Sequence, residues 1–135
     1  MQRNLRAMRR LGIRHGHTFP SVTTLFEQLF AALSATPEPV YLSIDKDVLA
    51  SNVVQTNWDQ GVMQLEELMT AIRRLRGRIL ASDVVGEVSS YRYRSLFKRL
   101  LTGLDRQPAI PLQTLNAWQL QHQQVNRQLL ALLGA

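Results

Sequence analysis

Apolar positions recur along this chain in two alternating rhythms. Val22, Leu25, Phe26, Leu29, Phe30 and Leu33 advance by three and four, which lays one apolar stripe along a helix. Ser21, directly after Pro20, is placed to cap that helix, and Thr36-Pro37-Glu38-Pro39 stops it. Val40 to Ile44 is then a short apolar run of strand length, and the polar stretch from Ala50 to Gly61 predicts an irregular loop. Helical spacing returns with Val62, Leu65, Leu68, Met69, Ile72 and Leu75, with Gly77 as the C-terminal stop. Arg78 to Val85 predicts a further buried strand, and Tyr93, Leu96, Phe97, Leu100 and Leu101 mark a helix ended by Gly103. Arg10 to Arg14 reads as a short strand, and the segment Gln107 to Pro111, with Pro108 and Pro111 close together, is a break.

The last element differs in character. Leu115, Trp118, His122, Val125, Leu129 and Leu132 form a heptad-like seam on a Gln-rich helix. The seam is too short for a coiled coil and predicts docking on the domain or on a partner. His122 lies on that seam and reads first as a packed, hydrogen-bonded residue, with a ligand or pH-sensitive contact as the alternative. Strands alternating with helices indicate an α/β fold with a mostly parallel sheet. At 135 residues the chain is about one domain long, and such a domain buries ~65–70% of its unfolded surface. No repeat or linker divides it: residues 1–111 read as the α/β part, and 112–135 as an amphipathic C-terminal helix of the same domain.

Charge adds a bias without a motif. The net charge is +6, and all of the cations but Lys46 and Lys98 are Arg. They gather in residues 1–14, at Arg73, Arg74, Arg76 and Arg78, and at Arg92, Arg94, Lys98 and Arg99. Such clusters attract phosphates or acidic surfaces, but with no nucleic-acid-binding motif they read as solvated helix faces. There is no cysteine, hence no disulfide, thiolate metal site or Cys nucleophile. No apolar run approaches the ~18 residues of a membrane span, and the Arg-rich start lacks the apolar core of a secretory signal. A soluble, cytoplasmic protein is expected.

The chemistry-bearing stretch is Val40-Tyr41-Leu42-Ser43-Ile44-Asp45-Lys46-Asp47-Val48-Leu49, a strand that delivers two carboxylates to its own C-terminal end. Residues i and i+2 of a strand share a face, so Asp45 and Asp47 point at one spot. Two adjacent like charges repel unless a cation lies between them, which suits a divalent metal. The crevice beyond the carboxyl ends of parallel strands is also where open α/β sheets hold ligands. Asp45 and Asp47 are therefore the candidate metal ligands.

The run Tyr41 to Leu49 resembles the late strand motif of the ureohydrolases, the arginase and agmatinase family, in which Ser and an apolar residue precede D-x-D. Thr56 to Gly61, Val62 and Glu66 are similar to the loop and helix start that follow in the family. Ser82-Asp83-Val84-Val85-Gly86-Glu87-Val88-Ser89 is similar to its next strand, which ends on a Glu that grips substrate. The resemblance spans roughly residues 38–90. It implies a three-layer α/β sandwich and a binuclear manganese centre with Asp45 and Asp47 among its ligands. The implied chemistry is attack of a metal-bound hydroxide on a guanidinium or amidine carbon.

Several positions depart from the family pattern. The remaining family ligands, a His and D-x-H-x-D, have no counterpart, since the histidines are His15, His17 and His122. His15 and His17 have a spacing that suits a metal but lie outside the family's ligand pattern. The substrate-gripping Glu falls at Gly86, with Glu87 one residue later, and Trp58 enters the substrate-facing loop. Ala50 and Ser51 replace the usual Asp-Pro. Together these positions predict the C-terminal portion of a divergent arginase-like hydrolase of a guanidino or amidine C–N bond. It is expected to be inactive as a lone chain, with Glu87 and Trp58 as substrate-binding candidates. Such a partial sheet predicts self-association or a complementary chain. Two alternatives stand beside this: a non-catalytic basic binding module, and a Mg²⁺-dependent phosphatase of the haloacid-dehalogenase type, whose D-x-D-x-[TV] pattern would meet Leu49.

Overall fold

The computed structural model describes residues 17–88 and 110–134, so the expected strand at Arg10 to Arg14, the histidine His15 and the Tyr93 to Leu101 helix lie outside the described residues. The chain divides after Thr36 into two compact units. The described part of the first is helix α1, Val22–Ser34. The Ser21 side chain accepts a hydrogen bond from the Thr24 amide at 3.1 Å, satisfying one of the donors a helix start leaves open. Phe30 is the buried residue of its stripe, with the Phe26 ring 6.0 Å away.

The second unit, from Pro37, carries strand β1 (Val40–Asp45), a 3-10 turn (Lys46–Val48), helix α2 (Leu65–Leu75), strand β2 (Ile79–Val85) and helix α3 (Leu112–Leu133). The two strands pair in parallel, with Ser43 opposite Asp83 and Asp45 opposite Val85. Parallel neighbours need a long crossover, and α2 supplies it. The unit is therefore α/β, built on a two-stranded parallel sheet among the described residues.

Helix α2 begins at Leu65 rather than at Val62. Residues just before it run alongside the β1 exit instead: Met63 bridges Leu49, and the Met63 amide donates to the Val48 carbonyl at 3.1 Å. Val62 is consequently exposed, and Glu67 folds back to accept from the Gln64 amide at 2.7 Å, capping the helix start. Past its end Gly77 has φ of +87°, the left-handed turn that glycine adopts without strain. Strand β2 is less buried than its apolar sequence implies, with Leu80 78% exposed. Its sole hydrogen-bonded neighbour among the described residues is β1, so it is an edge strand.

Helix α3 packs on α2. His122, Val125 and Leu129 of the seam are buried, while Leu120 and Leu130, off the seam, are about two-thirds exposed at 65% and 64%. The seam therefore docks on its own domain, and with Leu68, Ala71, Ile72 and Leu75 of α2 it belongs to the core that Ile44, Leu49 and Val54 continue. Removing a fully buried leucine loses both its transfer energy and the contacts around the cavity. Leu129→Ala is expected to destabilise the chain by about 3 kcal/mol, and Leu130→Ala by less than ~0.5 kcal/mol. Urea unfolding of the two variants checks this, and equal effects would mean that the seam is not the docked face.

Candidate functional site

Strand β1 ends at Asp45 and the chain tightens into its 3-10 turn. Asp45 Oδ1 accepts from the Asp47 amide at 3.1 Å, so the first carboxylate caps the turn that carries the second. The Asp47 carbonyl in turn accepts from the Gly61 amide at 2.7 Å, tying the turn to the end of the 50–61 loop. Asp45 and Asp47 are thus adjacent but not two steps of one strand, because the strand has already stopped. Asp47 Oδ1 is buried without a hydrogen-bond partner among the described residues. A buried acceptor left open is uncommon, and it is a carboxylate oxygen, a hard donor that suits Mn²⁺, Mg²⁺ or Ca²⁺.

Gly86 closes the other side. It follows β2 with φ of +81°, and a Cβ there would lie 2.4 Å from Asp45 Oδ1 and 2.7 Å from the Lys46 amide nitrogen. Only glycine lets the two strand ends approach this closely. Glu87, one residue on, has left the strand, so the one-residue slip does not turn it to the opposite sheet face. It meets Lys46 instead.

Lys46 lies between the two aspartates in sequence, yet it is completely buried. Its Nζ donates to Glu87 Oε1 and, at 2.9 Å, to Asn126 Oδ1 of α3. Asn126 Nδ2 donates to the same Glu87 oxygen at 2.9 Å. His122, one helical turn before Asn126 on the same face, bonds the Gln55 carbonyl through Nε2 at 2.8 Å. A carbonyl only accepts, so Nε2 carries the proton. His122 Nδ1 stands 3.2 Å from Glu87 Oε2, close enough for an ion pair but not aligned as a hydrogen bond. For Glu87, burial pushes the carboxyl up, but hydrogen bonds from Asn126 and Lys46 and the positive charge beside it outweigh that and hold it below the ordinary range.

The remaining candidates are spread out. Trp58 is 56% exposed on the loop, which Gln60 braces by donating to the Val54 carbonyl at 2.7 Å. Glu66 pairs with Arg73 at 2.7 Å on the surface, and His17 is exposed. Leu49, where the phosphatase pattern needs Thr or Val, is fully buried in the core. On the outer sheet face Asp83 accepts from Tyr41 and from Ser43 Oγ at 2.9 Å. The Tyr41 bond, then the Ser43 bond, lower the Asp83 carboxyl, and the same Asp83 contact raises the Tyr41 phenol. Among the described residues no group of three or more His, Cys, Asp or Glu is placed to hold a metal. Asp45 and Asp47 offer suitable oxygen donors, but too few to complete a site.

No family model and no solved structure matches the chain. A stretch of 50 residues is 48% identical to an uncharacterized protein of Thermotoga maritima; it is 36% of this chain and 20% of that protein. The match therefore spans about a fifth of that relative's length.

The buried cluster makes two asymmetric predictions. Glu87→Gln removes the counter-charge of the buried ammonium and is expected to destabilise by about 2 kcal/mol at neutral pH, below the usual ~3–5 because Glu87 is half exposed. Lys46→Met removes the charge that needed a partner and is expected to change stability by less than about 1 kcal/mol. Because the folded Glu87 carboxyl is lowered, its contribution is present above its ordinary value and is lost as pH falls through the lowered one. The gap between wild type and Glu87→Gln in denaturant titrations should accordingly close in acid; a gap that widens there, or a Lys46→Met more damaging than Glu87→Gln, would contradict this electrostatic account.

Proposed function

We propose that residues 37–134 supply the D-x-D portion of a metal-dependent hydrolase acting on a guanidino or amidine C–N bond, of the arginase-like kind. The observation that carries this reading is Asp47 Oδ1, buried and without a hydrogen-bond partner among the described residues, just past the carboxyl end of a parallel strand that stops at Asp45. It is the placement that α/β proteins use for ligands, with the donor chemistry of a Mn²⁺ site. The resemblance of Tyr41 to Leu49 to the ureohydrolase motif supports the same assignment. When bound, the metal would lower the pKa of a coordinated water and supply the nucleophile. In this chain Asp45 and Asp47 would hold the ion, and Gly86 would keep Asp45 in place by its close approach. Glu87 is committed to Lys46, Asn126 and His122, so a cationic substrate group would compete with an ammonium already in contact. This disfavours a substrate whose cationic group needs Glu87 as its counter-ion, arginine and agmatine included.

Two carboxylates do not complete the coordination of a metal pair, so the reading places the other ligands on a complementary chain or another part of the protein. Among the described residues the sheet has two strands, and its edges with the exposed Tyr41, Leu80 and Val85 would suit pairing with a further strand. Self-association or capture of such a chain belongs to the proposal.

The test is calorimetric titration with Mn²⁺. The chain is expected to bind with a Kd no tighter than roughly 10⁻⁴ M, the range of sparsely liganded carboxylate sites, and Asp47→Asn should abolish binding. Urea release from arginine, agmatine or guanidinobutyrate should not exceed that of a metal-only blank. Tight binding removed by His15→Ala would overturn the assignment of the ligands, and urea release lost in Asp47→Ala would overturn the claim of incompleteness.

A further inference from the structure

His122 is a buried titratable group with no part in the proposed hydrolysis. Its Nε2 donates to the Gln55 carbonyl at 2.8 Å, so that nitrogen holds a proton. The other ring nitrogen, Nδ1, is buried without a hydrogen-bond partner among the described residues and stands 3.2 Å from Glu87 Oε2. A neutral ring with its proton on Nε2 presents a bare lone pair at Nδ1. That lone pair would face a carboxylate oxygen at contact distance, from a nitrogen closed to solvent.

Glu87 does not carry the missing proton. Burial raises its carboxyl, but bonds from Asn126 and Lys46 and the neighbouring positive charge outweigh that, so Glu87 is ionised at neutral pH. Its two oxygens are divided: Oε1 takes the Lys46 ammonium and the Asn126 amide, and Oε2 faces the ring. A proton on Nδ1 turns the repulsion there into an ion pair. Lys46 opposes a second cation, but its charge is met by Glu87 Oε1 and, at 2.9 Å, by Asn126 Oδ1. Beside Lys46 in the turn, Asp45 is exposed and Asp47 half-buried. The other ionisable side chains on the elements around the ring are Asp59 of the loop, Glu66, Arg73 and Arg74 of α2, and Arg127 of α3, all exposed. Glu67 of α2 is turned back onto the Gln64 amide.

We propose that His122 is a proton-operated latch for α3: protonated on both ring nitrogens, it ties the helix to Glu87 and to the Gln55 carbonyl of the 50–61 loop at once, and loss of the Nδ1 proton releases the Glu87 side. The proton is favoured by the folded arrangement and loses its partner when α3 leaves. The stability it contributes is therefore complete in mild acid, below the ordinary histidine range, and is lost as pH rises through the range in which the folded ring gives the proton up. Glu87 itself takes up a proton only in stronger acid, so the two contributions separate along the pH axis. The latch involves no metal and is independent of the reading of Asp45 and Asp47.

Nitrogen-15 NMR of the full-length chain reads the two ring nitrogens directly. At about pH 7, where an ordinary histidine is mostly neutral, His122 is expected to show two protonated nitrogens. Glu87→Gln, at a temperature where circular dichroism shows it folded, is expected to return the ring to a single proton on Nε2. Denaturant unfolding supplies a second readout. His122→Gln keeps an amide donor for the Gln55 carbonyl but carries no charge, so the ratio of wild-type to variant folding constants should fall by roughly tenfold between about pH 5.5 and about pH 8. A neutral wild-type ring at about pH 7, or a ratio that stays flat across that span, would overturn the latch. Should Glu87→Gln fail to fold, the wild-type ring nitrogens and the His122→Gln profile decide.

Discussion

A fully buried ammonium is the constraint around which this domain is arranged. Removing an ion from water is opposed by several kcal/mol even after relaxation, so Lys46 is tolerable only where partners are supplied from every side. Glu87 brings a carboxylate from the end of β2 and Asn126 an amide oxygen from α3. Those bonds tie the ends of β1 and β2 to the middle of α3. Apolar burial of Val125 and Leu129 then holds the helix down, but burial is not directional. The hydrogen bonds supply the register.

The same constraint accounts for features that otherwise look unrelated. Gly86, directly before Glu87, has no room for a Cβ against Asp45 and the Lys46 amide. The 50–61 loop is polar yet firmly braced, with Val54 and Thr56 buried and the Gln55 carbonyl taken by His122. Strand β1 stops at Asp45 because its carboxylate caps the turn that follows. Within that turn Lys46 is buried, whereas Asp45 is exposed and Asp47 is half-buried. No helix among the described residues is long and apolar enough to cross a membrane.

Much of this was legible in the sequence, for reasons that lie in periodicity. The α1 stripe, the Ser21 cap, β1, the Gly77 stop and the α3 seam all follow from local patterns that tertiary contacts did not override. Val62 misled because its spacing fits a helix while the neighbouring Met63 is needed to pair with Leu49. The apolar run of β2 suggested a buried strand, but hydrophobicity does not report how many neighbours a strand has. At the site, Asp45 and Asp47 could be picked out by chemistry and spacing. Lys46 could not, because a lysine between two aspartates reads as solvated charge, and the turn that buries it begins only where the strand stops. Asn126 was hidden among the glutamines and asparagines of α3, and its one cue was the spacing of four from His122 on the seam. Long-range polar pairing leaves little trace in a single sequence.

The central claim is that a divalent cation meets the chain at Asp45 and Asp47. Paramagnetic broadening by Mn²⁺ of assigned amide resonances tests it most directly, since the effect falls off steeply with distance from the ion. Substoichiometric Mn²⁺ should first erase the amide signals of Asp45, Lys46, Asp47 and Gly86, ahead of those of the rest of residues 37–134. Broadening centred on His17, or spread evenly over exposed carboxylates such as Glu66 and Asp59, would contradict the account.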